Sequence, residues 1–299
     1  MTKAGFGPFL TSRVSIRAGL VAGLGAVRRA LGRLWGRDVM LYTGGVSFYA
    51  MLAGFPALAI LVSLYSLLST PAQAARQAEA LAAVLPDSAQ SLFADELQRL
   101  ALTPLSAVSI QGGLAVLISL YAAHRAVKAL IAGLTFIHDG EGAYSFVQIN
   151  LIALLVFLAG LVLILVTSTA FLLVRILVRA LDPSAVHLGL RVFHEWTWSI
   201  VGVSLGLTLI YRYVMAAHPL GWRASIIGGV TGAIMSLAAS WACALYVDRV
   251  ARLGATYGSI AAVVVCLIWI SWNVNAVFFG GALATEAGLL LGRRAAGKA

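Results

Sequence analysis

Six stretches of this chain are each long and apolar enough to cross a lipid bilayer: about 44–68, 105–123, 147–174, 196–214, 224–247 and 257–283. A hydrocarbon core about 30 Å thick takes about 20 residues of helix. Lipid offers the backbone no hydrogen-bond partners, so a spanning segment is either a helix or part of a closed barrel. These runs are continuously apolar and too long for barrel strands. They predict an all-α, polytopic integral membrane protein with six transmembrane helices. Composition agrees. Of the 299 residues, 61% are apolar and 11% charged, whereas soluble domains average about 45–50% apolar and about 25% charged.

The charge distribution predicts the orientation. Cytoplasmic loops of membrane proteins carry the excess of Lys and Arg. With the N-terminus inside, the inner segments hold 14 basic and 4 acidic residues and the outer segments 7 of each, so the net +10 falls entirely on the inner face. Both termini are then cytoplasmic, and the basic character needs no nucleic acid. The expected division is a basic segment over 1–40, a membrane domain over 41–287 and a tail over 288–299. The first 40 residues lack the apolar core of a cleavable signal. They repeat Leu20, Leu24, Val27, Leu31 and Leu34 at helical spacing among Arg17, Arg28, Arg29, Arg33 and Arg37. That pattern predicts an N-terminal amphipathic helix able to attract anionic headgroups, or simply a positive-inside anchor. Between Pro71 and Thr103, two short helices are expected to break at Pro86, with Asp87 capping the second.

Several residues inside or beside the spans are candidates for chemistry. Arg125 and Lys128 follow the second run, whose helical pattern continues through Leu130, Ile131 and Leu134. Either they snorkel at the inner interface, or they lie inside the bilayer, where a cation marks a functional site. As candidate headgroup or solute contacts they are joined by Asn273, Asn275 and Glu286, all in or near the sixth run. Ala224, Gly228, Gly232, Ser236, Ser240 and Ala244 recur every four residues along the fifth run, and Gly202 and Gly206 do so in the fourth. Small residues on one face let helices approach closely in lipid, within the bundle or against a partner. Pro56, in the first run, predicts a kink.

Catalytic signatures are missing. No phosphate-binding loop, HExxH, CxxC or GxSxG pattern occurs. Cys243 and Cys266 lie in apolar runs without metal-ligand spacing and are expected as free buried thiols. His138, Asp139 and Glu141 match no ligand pattern and read as a solvated loop. The expectation is no enzyme, no metal and no cofactor.

The first run, GGVSFYAMLAGFPALAILVSLYSL, resembles the YihY/BrkB family of bacterial inner-membrane proteins. So do the Tyr211–Arg212 pair with Pro219 after it, and YGSIAAVVVCLIWISW leading to Gly280–Leu283. The resemblance covers most of 40–287. It implies six spans in the bacterial plasma membrane. Some relatives carry a ribonuclease label, but no clustered acid–base or metal-binding groups support one here. Others are linked to envelope integrity, virulence or lipid export. The resulting expectation is a non-enzymatic envelope protein that moves or organises a lipid or amphipathic solute. The alternative is a structural subunit docking a membrane partner, or a second copy, through the Gly228/Gly232 face.

Overall fold

The computed structural model describes residues 23–35, 38–68, 110–138, 144–181, 195–215, 219–249 and 261–296. Seven helices account for nearly all of these residues, with no strand among them. They are α1 (23–35), α2 (Val39–Leu68), α3 (Ile110–Ile137), α4 (Phe146–Leu181), α5 (Glu195–Tyr213), α6 (Trp222–Arg249) and α7 (Ala261–Ala296).

Each expected span falls on one of α2 to α7. Among the described residues, four stretches are long and apolar enough to cross a membrane: Val116–Ile137, Phe146–Thr167, Trp222–Val247 and Val263–Gly292. Val39–Gly54 and Ile200–Tyr213 are shorter apolar stretches. The second apolar run follows the continuation through Leu130, Ile131 and Leu134. Its helix runs past Ala123 to Ile137, because Ile131, Leu134 and Ile137 bury completely and extend the apolar pattern. Arg125 and Lys128 therefore lie inside the apolar stretch. The expected helices around Pro86 and the tail beyond Ala296 lie outside the described residues. α2 runs as one element through Pro56, whose side chain also lies outside them.

The core gathers around α7. Phe278, Ala282 and Ala284 pack with Val39 and Val46 of α2, Leu134 and Ile137 of α3, and Leu207 and Tyr211 of α5. α6 and α7 form the most intimate pair, followed by α2 with α3 and α5 with α6. Close approach explains the small residues. A Cβ added at Gly228 would stand 2.6 Å from both the Ala284 Cβ and the Gly280 carbonyl oxygen. One added at Gly280 would stand 2.9 Å from the Gly232 Cα. The Gly228/Gly232 face is thus occupied by the chain's own α7 and, at Gly232, by Leu207 and Tyr211 of α5. Gly202 and Gly206 face α4 instead, at Thr167 and Leu163.

The outer surface is apolar. Leu151, Leu154, Leu155, Leu158, Leu161 and Val162 of α4 are exposed, and almost none of Phe146–Thr167 is covered by the rest of the chain. In water such a surface would drive aggregation; in a bilayer it is the face the solvent prefers.

α1 departs from the simple leucine stripe. Its buried positions are Ala26 and Ala30, flanked by the packed Val27 and Leu34, while Leu24 and Trp35 are exposed. Small alanines at the contact bring α1 near enough for Arg29 and Arg33 to reach α7.

Candidate functional site

Among the described residues, polar groups within the bundle gather in four clusters that hold the candidate residues. The first is on α3. Arg125 lies about 14 Å along the helix from the start of its apolar stretch and about 18 Å from its end. It is exposed, donates to no carboxylate among the described residues, and donates from Nε to the Tyr121 hydroxyl at 2.9 Å. Its guanidinium also lies 5.3 Å from the Tyr121 ring centroid and 6.0 Å from that of Tyr49 on α2. Lys128 turns to another neighbour. Its ammonium donates to Asn150 Oδ1 of α4 at 2.8 Å and lies 5.2 Å from the Phe146 ring centroid. His124 Nε2 is 3.3 Å from the same amide oxygen. The two cations share one helix but lean on different helices, and their partners among the described residues are neutral.

The second cluster seals α6 to α7. Asn273 Oδ1 accepts from Ser236 and, at 3.4 Å, from Ser240. Its Nδ2 donates to the Trp269 carbonyl at 2.9 Å, and the Trp269 indole donates to Ser240 Oγ at 3.0 Å. Every polar atom of Asn273 is used inside the protein, which makes it a packing residue.

Asn275, two residues on, points elsewhere, as helix geometry requires. Thr43 of α2 donates to its Oδ1 at 3.1 Å, and its Nδ2 donates to the Ser271 carbonyl at 3.0 Å. Asn275 also borders an open groove of about 670 Å³. Leu31, Leu34 and Trp35 of α1 form one wall of it, and Met235 and Ala239 of α6 form another. Its lining is almost entirely apolar, and its volume suits a small amphipathic ligand.

The fourth cluster centres on Glu286, whose side chain is only 5% exposed. Arg29 Nε donates to Oε2 at 2.6 Å and Arg33 Nε to Oε1 at 2.7 Å. Arg33 Nη1 also donates to the Ile137 carbonyl at the C-terminal end of α3, at 3.1 Å. There the helix dipole favours a cation. His138 Nδ1 lies 3.0 Å from Thr285 Oγ1 beside this clamp. Glu286 is thus paired with α1 rather than with Arg125 or Lys128. Asp139 and Glu141 lie outside the described residues, and among those described no three metal-ligating side chains converge.

The sequence spacing missed Arg29 and Arg33 as partners of Glu286, and Tyr49, Tyr121 and Asn150 as partners of the α3 cations. Glu286 and its arginines are more than 250 positions apart, and Tyr49 and Asn150 lie on other helices, so no local signal reports those pairs; Tyr121 and Arg125, four apart on α3, are the pair that helical spacing could have shown. The Tyr211–Arg212 pair proves architectural. Tyr211 is fully buried and donates to the Val277 carbonyl at 2.6 Å. Arg212 donates to the Leu220 carbonyl and stacks 4.2 Å from the Trp222 ring centroid, tying α5 to the start of α6. Tyr144, outside the spans, donates to the Val214 carbonyl at 3.1 Å, and burial raises its phenol above the usual range.

Comparison with known proteins accounts for this motif pattern. No solved structure matches the chain. A UPF0761 membrane protein of Paraburkholderia xenovorans (strain LB400) is 36% identical over 77 residues, which is 24% of this chain. The match spans only 17% of that relative's own length. A family model described as "Virulence factor BrkB" matches residues 30–296. That match takes in the second arginine of the α1 clamp, its Glu286 partner and all six long helices, so the chain belongs to the BrkB family of membrane proteins.

Proposed function

We propose that the chain is a non-enzymatic, six-span protein of the bacterial inner membrane, with cytoplasmic termini, that moves or organises an anionic lipid. One observation carries this reading. Arg125 and Lys128 lie within the apolar stretch Val116–Ile137, and their partners among the described residues are neutral. A cation at such depth is costly unless it is hydrated or paired. A phosphate headgroup entering from the membrane would supply the missing negative charge. Arg125, exposed and offering a planar fork of donors, is the primary contact. Lys128, half-buried, is the second.

The apolar groove beside Asn275 supports the same class of ligand, since an acyl chain matches its walls. The outer face of α4 supports the membrane location. The positive-inside charge distribution supports the orientation.

Reconstituted vesicles carrying fluorescent phosphatidylglycerol test the reading. The unsubstituted protein is expected to accelerate lipid movement between leaflets. Arg125→Ala with Lys128→Ala is expected to return the rate to that of protein-free vesicles. Arg125→Lys should retain part of it, because the charge persists without the bidentate fork. Full movement in the double variant would remove both cations from the mechanism.

A further inference from the structure

α1 has two faces. Ala26 and Ala30 are buried against the bundle, whereas Leu24, Arg28, Leu31 and Trp35 are exposed. These four recur at i, i+4, i+7 and i+11, so they share one stripe of the helix. Three of them are large and apolar, and Trp35 is 83% exposed. Water disfavours such a stripe, whereas a bilayer interface accepts it, with the charged head at the level of the lipid headgroups. Arg28 is the charged member of this stripe, and no described carboxylate pairs with it.

The apolar groove begins one turn along α1 from Arg28. Leu31 and Trp35 form its α1 rim. Most of the remaining lining comes from α6, between Met235 and Ala242, and α7, between Trp272 and Phe279. Each of those stretches is about 10 Å of helix. Glu286, which Arg29 binds, lies about another 10 Å along α7 beyond Phe279. The arginine-bearing part of α1 thus stands at one end of the groove, and the groove runs away from it along α7.

A cation at one end and an open apolar channel of about 670 Å³ leading away from it match the two parts of a phospholipid. The planar guanidinium fork suits phosphate oxygens, and the apolar walls suit an acyl chain. In the orientation proposed above, Arg28 meets the cytoplasmic leaflet, whose surface is anionic. We propose that the groove is a binding site for an anionic phospholipid, with the phosphate on Arg28 and one acyl chain between α6 and α7. The site shares a ligand class with Arg125 and Lys128 but none of their residues, so it stands or falls apart from them.

Phosphatidylglycerol carrying a diazirine partway along one acyl chain tests the site in phosphatidylcholine vesicles. After irradiation and proteolysis, mass spectrometry is expected to find adducts denser on 235–242 and 272–279 than on the outer face of α4, which is open to lipid along its length. Excess unlabelled phosphatidylglycerol should remove the groove adducts and leave those on α4, and excess phosphatidylcholine should do neither. Arg28→Gln should raise the phosphatidylglycerol needed for half-competition about fivefold, the weight of one basic residue at an anionic surface. Ala238→Leu, at an exposed position in the groove lining, should abolish the groove adducts. Arg125→Ala with Lys128→Ala should leave them unchanged, and their loss in that variant would overturn a separate site. Groove adducts no denser than those on α4 would mean annular lipid only and overturn the proposal. Competition unaltered by Arg28→Gln would overturn it as well. Should a variant fail to fold, the competition series on the unsubstituted chain decides the matter alone.

Discussion

At the scale of single residues, burial separates charges of similar appearance in the sequence. Glu286 is 4% exposed and satisfies both carboxylate oxygens with guanidinium donors. Removing it takes from Arg29 and Arg33 the carboxylate that both of them bind. Breaking a buried pair from one side costs about 3–5 kcal/mol, so Glu286→Ala should lower the thermal midpoint in detergent more than either arginine substitution. Arg33→Ala should follow, because Arg33 is 18% exposed and also serves the Ile137 carbonyl. Arg29→Ala should cost least, because a half-exposed pair is screened and contributes about 1 kcal/mol or less. A reversed order of the two arginines would mean that burial does not set the strength of this clamp. Asn273 and Asn275 make the same point for neutral groups. Two positions apart, they serve different helices, one sealing α6 to α7 and the other edging the groove.

At the scale of helices, α6 and α7 associate through backbone proximity. Hydrophobic attraction does not favour helix association in lipid, where the surroundings are equally apolar, so contact density and interhelical hydrogen bonds decide it. Gly228→Ala places a methyl 2.6 Å from the Gly280 carbonyl oxygen, a backbone atom that cannot rotate aside. Overpacking of this kind costs about 1–3 kcal/mol, and a clear drop in the thermal midpoint is expected. Gly160→Ala on α4 is the control, since nothing lies within 4 Å of its added Cβ; its midpoint should stay level or rise. Equal behaviour of the two would remove the close α6–α7 approach as their distinguishing feature. Asn273→Ala should weaken the same pair by about 0.6–1.7 kcal/mol, the range for interhelical hydrogen bonds in membranes. The small-residue repeat was legible along α6. Its partner was not, because a stripe of Gly and Ser fits a neighbouring helix of the same chain as well as one from another protein.

At the scale of the whole molecule, the apolar exterior and polar interior contacts describe a bundle solvated by lipid. Cys243 and Cys266 are both buried within it. Neither should react with a membrane-permeant maleimide in the folded protein, and both should react after denaturation in SDS. Rapid labelling of the folded protein would contradict the packing of α6 against α7. Single cysteines placed along 121–137 test the α3 site in the same molecule. Position 125 should label through an aqueous path and be protected by added anionic lipid, whereas the fully buried position 131 should not label.

The sequence by itself determined the helical class, the location of the long helices and the family pattern. Those depend on runs of about 20 apolar residues and on local spacing, both written along the chain. It also exposed the cations on α3, the asparagines on α7 and the small-residue stripe on α6 as exceptions to an apolar background. The tertiary structure decided what those exceptions touch. Glu286 meets arginines more than 250 positions away, and Gly228 lies against Gly280 and Ala284 rather than facing a free surface. It also extended the second span past Ala123, because Ile131, Leu134 and Ile137 find cover on neighbouring helices. Periodicity fixes which side of a helix is apolar. Only the folded bundle fixes which neighbour that side meets, since in lipid many apolar faces are equivalent until close contacts and polar pairs distinguish them.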